Sequence, residues 1–520
     1  MTQRRWVGVL TALIAAMMGS RLLRWPLEVY GDAAAQYIEH LTRLRILERI
    51  REGLPSGPLE ALKALEGIYP PGLHLVELAW GGLFGHAAES VLWLGFVWWL
   101  LLCGSVAKLA TNLIPEIEGL AGKAFLATAL IPALQATALR SYYDLPMTAM
   151  LWLAMAVVTS GLPWRGVWAG LCLVAATLIK WTALPFGVVM MLALVVVQGR
   201  AIARPVLSSL SLMIAWSAVF IMAGAESFSS MGAATFQPAP GVAVGAAEGP
   251  SQWLEVALAN LGQWDAERLM FYPWRLVSTV LSPVGALVLG WAVYRGWRTD
   301  RSGLRLLGLI GIGHLVFLLL MVPIQDDRFI LTLAPAAAIV VATGLHGLPL
   351  KGALVAMLLV SADAHLWTPA KESGEGNPWP ATRDGQAWAP RLGMSSSVDR
   401  RGWSRSTDMR DNKTAARAQL WSAVTACGGG VVDARTQLLS PTGDLNWWAY
   451  RRSLAAVSGE GTSAMWRGEV GAGERPPQVW VGSSSPGPGP SSAPPRGWHT
   501  RTIGAWRVAT PEPCGDEDRD

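Results

Sequence analysis

The feature that most restricts how this chain can fold is a series of long apolar stretches, repeated from the N-terminus to about residue 366. A helix needs about 20 mostly apolar residues to cross the hydrocarbon core of a bilayer. The stretches predict about eleven membrane spans and therefore an all-α polytopic membrane domain. They lie at 6–23, 89–107, 120–139, 146–161, 166–180, 182–198, 205–223, 276–294, 304–322, 329–345 and 350–366.

The composition changes after the last of these stretches. Charged residues make up 15% of the whole chain, against about 25% in soluble domains, and residues 367–520 have an ordinary water-soluble composition. We therefore predict a transmembrane domain at 1–366 and a small extracytoplasmic α/β or α+β domain at 367–520. In that domain, strand-like segments near 478–481 and 505–508 flank a Pro/Gly/Ser-rich loop at 483–495. Cys427 and Cys514 could form a disulfide there, because the space outside the cytoplasm is oxidising.

Lys and Arg concentrate in alternate short loops, which are cytoplasmic in most membrane proteins. This pattern predicts a multi-pass protein of the inner membrane with a cytoplasmic N-terminus and an outer C-terminal domain. The outer loops then fall at 24–88, 140–145, 224–275 and 323–328, and amphipathic helices in the first of them should lie along the membrane surface. The net charge of +5 follows from the inner loops, and nothing in the sequence indicates binding to nucleic acid.

Polar motifs stand at the predicted outer ends of several spans. They read Tyr30-Gly-Asp-Ala-Ala-Ala-Gln-Tyr37, Tyr69-Pro-Pro-Gly-Leu-His-Leu75, Arg140-Ser-Tyr-Tyr-Asp-Leu-Pro146 and Gln325-Asp-Asp-Arg-Phe-Ile-Leu-Thr-Leu-Ala-Pro335. In order and spacing they resemble glycosyltransferase superfamily C, in its bacterial branch near the protein mannosyltransferases and the aminoarabinose transferase of lipid A, over roughly residues 6–345. The resemblance implies inverting transfer of a hexose or pentose from a polyprenyl-phosphate donor to a lipid, glycan or protein acceptor.

Two carboxylates are the catalytic candidates. Asp32 is the candidate base for the acceptor hydroxyl, although an Asp at this position could instead only cap the following helix. Asp144 lies in a predicted short loop between two spans, where an ionisable group is costly without a partner or a task. By resemblance it would orient the acceptor, assist Asp32 or help hold a divalent metal; alternatively it forms an ion pair with Arg140.

Cations and polar rings complete the predicted site. The donor phosphate would be bound by cations at the outer ends of spans, for which the candidates are Arg328, Lys180 and Arg140. Each could instead be structural, through a local ion pair or by snorkelling to the interface. The candidate substrate-binding residues are Tyr37, Tyr69, His74, Tyr143 and Asp327. His314, inside a span, is expected to be a packed core residue.

Two other functions remain open from the residues alone. A lipid or solute transporter would carry polar residues near the bilayer midplane and broken helices, whereas the polar residues here gather at the span ends, which favours an enzyme. An envelope assembly scaffold would depend on the C-terminal domain.

Overall fold

A computed structural model describes most of the predicted membrane domain and short parts of the tail. The described residues are 3–24, 70–84, 88–138, 143–222, 258, 266–296, 302–321, 327–345 and 347–366, with 432–433, 479–483, 497–503 and 506–510 in the tail. The predicted interfacial helix within 32–51 lies outside them, as do Cys427 and Cys514.

The described part of the membrane domain is helical throughout. Its helices are α1 (Gln3–Arg24), α2 (Gly72–Phe84), α3 (Ala88–Leu113), α4 (Leu120–Ala129), α5 (Pro132–Ala138), α6 (Asp144–Val158), α7 (Arg165–Ile179), α8 (Ala183–Gln198), α9 (Arg200–Met222), α10 (Ala266–Arg275), α11 (Ser282–Gly296), α12 (Ser302–Met321), α13 (Ala334–Gly344) and α14 (Gly347–Leu366). A π-helical segment (Leu276–Val280) joins α10 to α11, and a 3-10 helix (Asp327–Leu333) leads into α13.

Each span predicted from the sequence overlaps an apolar helix. Among the described residues, two helices are by themselves long and apolar enough to cross a bilayer, at Trp93–Leu113 and Arg200–Met222. In the other described helices, the apolar segments are 10–17 residues long, below the ~20 residues of a typical span. The all-helical architecture is thus confirmed, while the count of about eleven spans stays a prediction.

Helices α6 and α7 form an antiparallel hairpin that organises the site. Each is 15 residues long, and residues 159–164 connect them, so the start of α6 lies beside the end of α7. Helix α7 also packs closely along α9 because Gly166 and Gly170 present no side chain there. A Cβ on Gly166 would lie 2.8 Å from the carbonyl oxygen of Pro205. Small residues four apart allow such close helix packing in membranes.

The core continues on both sides of this hairpin. Helix α6 packs against α3, and α3 against α4; α8 packs against α12 and α11 against α13. The indole of Trp152 in α6 donates a hydrogen bond of 3.0 Å to the carbonyl of Thr332, which ties the 3-10 helix to the hairpin. His314 is buried, stacks on Phe186 at 4.2 Å and donates to the Ile310 carbonyl. The prediction that His314 is a packed core residue is confirmed.

The described part of the tail is a four-stranded sheet. Its strands are β1 (Val432–Asp433), β2 (Val479–Ser483), β3 (His499–Ile503) and β4 (Trp506–Thr510), in the order β1-β2-β4-β3. β1 is parallel to β2, and the other neighbours are antiparallel. β2 and β4 overlap the two strand-like segments predicted near 478–481 and 505–508, while β1 and β3 were not predicted.

Candidate active site

The ends of the α6–α7 hairpin bring two predicted site residues into contact. Asp144 is the first residue of α6, and Lys180 directly follows α7. The Lys180 ammonium donates to the Asp144 carboxylate at 2.7 Å, with side chains 5% and 3% exposed. The prediction that Asp144 lies in a loop is wrong, because Asp144 is the first residue of helix α6. A carboxylate in the first turn of a helix interacts favourably with the backbone dipoles.

The dipoles of α6 and α7 stabilise both charges of this ion pair. The N-terminus of a helix carries partial positive charge and the C-terminus partial negative charge. Asp144 therefore lies at the end of α6 that favours an anion, and Lys180 at the end of α7 that favours a cation. The Lys180 ammonium also lies 5.1 Å from the centre of the Phe329 ring, within the range of a cation–π interaction.

Helix α2 packs closely against the last turn of α7 at a glycine. A Cβ on Gly72, the first residue of α2, would lie 2.7 Å from the backbone carbonyl group of Leu178. Only a residue without a side chain permits this approach to the last turn of α7. The contact sets the first turn of α2 beside the Asp144–Lys180 pair and carries His74 into the site.

A second buried cluster adjoins the ion pair. His74 Nδ1 lies 3.2 Å from Glu77 Oε2, and His74 Nε2 lies 2.6 Å from the hydroxyl of Tyr143. The imidazole and phenol rings meet edge to face at 5.6 Å. Because Tyr143 directly precedes Asp144 in the chain, the two clusters are adjacent.

The 3-10 helix borders this region. It contacts α6, and the Phe329 ring in it faces Lys180; Asp327 and Arg328 precede Phe329 in the same 3-10 helix. Helix α10 and the π-helical segment also contact the 3-10 helix. Tyr272 and Arg275 are buried in α10 and therefore lie in an element that contacts the 3-10 helix.

The predicted site residues thus divide into two groups. The structure brings together Asp144 with Lys180 and His74 with Tyr143, and Asp327 and Arg328 lie in the 3-10 helix that contacts α6. Four predicted residues lie outside the described ranges, namely Asp32, Tyr37, Tyr69 and Arg140. Within the described ranges, no group of three or more His, Cys, Asp or Glu side chains could hold a metal ion.

Two residues of this region were missed at the level of sequence. Glu77 lies in the apolar stretch 75–84, where an acidic side chain without a partner is costly. Glu77 follows His74 by three positions, and side chains three apart share one helix face. This spacing could have predicted the contact between them. Phe329 carries no such signal, since its role depends on a lysine far away in the chain.

The helical architecture of this chain is similar, over nearly its whole length, to that of a solved membrane glycosyltransferase. The resemblance predicted from the sequence is confirmed at the level of fold. The particular structure that supports it is ArnT, the aminoarabinose transferase of Cupriavidus metallidurans, in the apo state. It matches with a TM-score of 0.54 and 13% identity over 98% of this chain and 98% of that chain.

Two further solved structures are similar at lower scores. ArnT bound to undecaprenyl phosphate matches at TM-score 0.45 and 16% identity, over 69% of this chain and 64% of ArnT, which is under two thirds of that protein. The Archaeoglobus fulgidus oligosaccharyltransferase in complex with zinc and sulfate matches at 0.41 and 14%, over 92% and 68%. No family model and no curated protein matches the chain.

Proposed function

We propose that this chain is a membrane glycosyltransferase that moves a sugar from a polyprenyl-phosphate donor to an acceptor hydroxyl outside the cytoplasm. The observation that carries the proposal is the buried Asp144–Lys180 pair, which stands at the shared end of α6 and α7 in a fold similar to that of ArnT. A buried ion pair is a poor way to gain stability, because desolvation offsets most of its attraction. The presence of this ion pair at the end of the hairpin therefore favours a role in the reaction.

The proposed reaction needs a base and cations. The acceptor hydroxyl gives its proton to the Asp32 carboxylate, and its oxygen forms a bond to the anomeric carbon from the face opposite the phosphate. The bond from that carbon to the phosphate oxygen breaks, and the electron pair leaves with the polyprenyl phosphate. The anomeric centre is inverted. Because the leaving group is already a phosphate, it needs positive charge more than a proton, and Lys180, Arg328 and Arg140 would supply that charge.

The ion pair suggests how the donor could prepare the site. While Lys180 donates to Asp144, its positive charge is largely balanced. An arriving donor phosphate competes for the same ammonium, since phosphate oxygens are strong acceptors of charge-assisted hydrogen bonds. Sharing Lys180 with the phosphate releases Asp144 to accept a hydrogen bond from the acceptor or to assist Asp32. The carboxylate would then act only when the donor is bound.

The direction of the helices is consistent with an outward-facing site. Helix α7 runs from Arg165 to Ile179, directly before Lys180, a rise of about 22 Å, and α9 begins at Arg200 beside the start of α7. These arginines are thus at the end remote from the site, as expected if that end is cytoplasmic. We propose that residues 1–366 form this domain in the inner membrane and that residues 367–520 form a domain outside.

The direct test is mass spectrometry of envelope lipids, glycans and proteins from cells that carry or lack the chain. A sugar mass present only with the wild-type chain is the expected result, and it names the product. Asp144→Asn and Asp32→Asn should abolish that mass at normal protein levels, while Glu116→Gln, at an exposed position in the turn between α3 and α4, should retain it. Full product with Asp32→Asn would remove Asp32 as the base, and an envelope identical with and without the chain would contradict the proposed function.

A further inference from the structure

Three polar side chains are buried beside the ion pair without a place in the mechanism above. Glu77 is 2% exposed, and His74 and Tyr143 are 0% exposed. Burying such groups is costly unless they are hydrogen-bonded, and a set of apolar side chains would fill the same volume at less cost. These buried polar groups are therefore better explained by the geometry that they impose, because hydrogen bonds fix the orientation of side chains and apolar packing does not.

The three groups lie in sequence within hydrogen-bonding distance. In the tautomer of His74 that carries its proton on Nδ1, this N–H donates to the Glu77 carboxylate at 3.2 Å. Nε2 of the same neutral imidazole then accepts from the Tyr143 hydroxyl at 2.6 Å. A carboxylate partner on one ring nitrogen sets the tautomer and the ring orientation of a histidine in this way. We call this chain, Glu77–His74–Tyr143, the relay.

The relay ends at the residue that precedes Asp144. Tyr143 is the N-cap of α6, but no side-chain hydrogen bond caps that helix. The phenol reaches back to α2 instead, while the Tyr143 carbonyl accepts from Met147 in the first turn at 3.0 Å. The backbone at the start of α6 is consequently held between its own first turn and a side-chain anchor on another helix.

We propose that Glu77 and His74 are positioning residues for the sugar transfer, acting through Tyr143 to hold the first turn of α6 so that Asp144 is presented to Lys180. The inference rests on the proposed function and extends it to two residues of α2. Their contribution is to geometry: Glu77 orients His74, His74 holds the Tyr143 hydroxyl, and Tyr143 fixes the backbone from which the Asp144 carboxylate projects.

The test compares three variants of the full-length chain at matched expression. Tyr143→Phe removes only the hydroxyl, Glu77→Leu removes the acceptor, and Glu77→Gln keeps an oxygen that can accept from His74. Two quantities are measured: the rate at which the sugar-bearing product appears in cells after induction, by mass spectrometry, and the affinity of the purified protein for undecaprenyl phosphate in nanodiscs.

If the relay positions Asp144, the variants should change the rate of product formation and the affinity for undecaprenyl phosphate in different ways. Product formation should fall on the order of 100-fold in Tyr143→Phe and Glu77→Leu, the size of effect that a misplacement of ~1 Å can have. Glu77→Gln should stay within about fivefold of the wild type, because a neutral hydrogen bond is roughly half as strong as a charge-assisted one. Affinity for undecaprenyl phosphate should not fall in any of the three variants, because Lys180 stays in place, whereas a general loss of structure would lower it.

Each other result has a distinct meaning. Wild-type rates in Tyr143→Phe and Glu77→Leu would overturn the relay and leave the proposed function intact. A Glu77→Gln protein as slow as Glu77→Leu would also overturn it, because charge rather than a hydrogen bond would then be required. If Glu77→Leu fails to accumulate, Tyr143→Phe, which deletes a single oxygen, still decides. A wild-type chain that makes no product contradicts the proposed function itself.

Discussion

The buried pair of Asp144 and Lys180 gives the sharpest prediction, because stability and activity should respond differently to its removal. At 2.7 Å, two unit charges attract by about 6 kcal/mol at an effective dielectric constant of ~20. Desolvation of both groups offsets much of this attraction. Removing one partner deprives a buried charge of its counter-ion, which costs about 3–5 kcal/mol, or roughly a 10²- to 5 × 10³-fold change in the unfolding equilibrium.

The perturbation is therefore a double-mutant cycle with Asp144→Leu, Lys180→Met and both together. Each single variant should lose about 3–5 kcal/mol of unfolding free energy, while the double variant should lie near the wild type, because well-packed apolar residues replace buried pairs at little cost. Unfolding in mixed micelles with increasing SDS measures this energy. Lys108→Met, at an exposed lysine of α3, is the control and should change it by no more than about 0.5 kcal/mol.

Activity should not follow stability in this cycle. The double variant regains its fold and yet should make no product, since both the carboxylate and the ammonium are gone. Single variants whose effects add within about 0.5 kcal/mol would show that the two groups do not interact and would refute the argument from the pair. A stable double variant with normal product formation would remove Asp144 and Lys180 from the mechanism.

Three other predictions concern how the site is held. Gly72→Ala should destabilise the protein by about 1–3 kcal/mol through overpacking against Leu178, whereas Gly82→Ala in the same helix, where a Cβ meets nothing within 4 Å, should be neutral or stabilising by up to about 1 kcal/mol. The same SDS unfolding assay measures both, and equal effects would contradict the close approach. Trp152→Phe should cost about 1–3 kcal/mol by leaving the Thr332 carbonyl without its buried donor, and Trp168→Phe, at a 54% exposed indole, should have little effect. Because the carbonyl of Thr332 anchors the 3-10 helix that carries Arg328, Trp152→Phe should also weaken binding of undecaprenyl phosphate, and unchanged affinity in nanodiscs would argue against a donor site along that helix.

The helical part of the fold follows from the sequence to a large extent. In a bilayer, apolar stretches with few charges predict helices, because only a helix forms the hydrogen bonds of its backbone groups within one segment. The order of the predicted spans therefore matches the order of the helices. Their lengths do not follow as well: α4 ends at Ala129 and α5 begins at Pro132 within the predicted span 120–139, since proline at the start of a helix interrupts the hydrogen bonds of the preceding one.

The partners within the site could be predicted only in part. Asp144 and Lys180 are visible as costly charges near span ends, but their pairing depends on two facts of three-dimensional structure. The arms of the hairpin have the same length, 15 residues, and the connection between them is short. From the sequence, Arg140 was the more obvious partner for Asp144 because it is only four positions away. Glu77 escaped notice because its significance depends on His74 and on burial, neither of which is apparent in an apolar segment.

The contact at Gly72 bears on how such proteins diverge. It joins α2 to α7 through backbone atoms, so the residues around it could change identity over long periods without moving the two helices apart. Such a junction requires only that one position lack a side chain, which constrains few side-chain identities. A fold can therefore be similar at very low sequence identity, as in the match to ArnT at 13% identity across 98% of the chain.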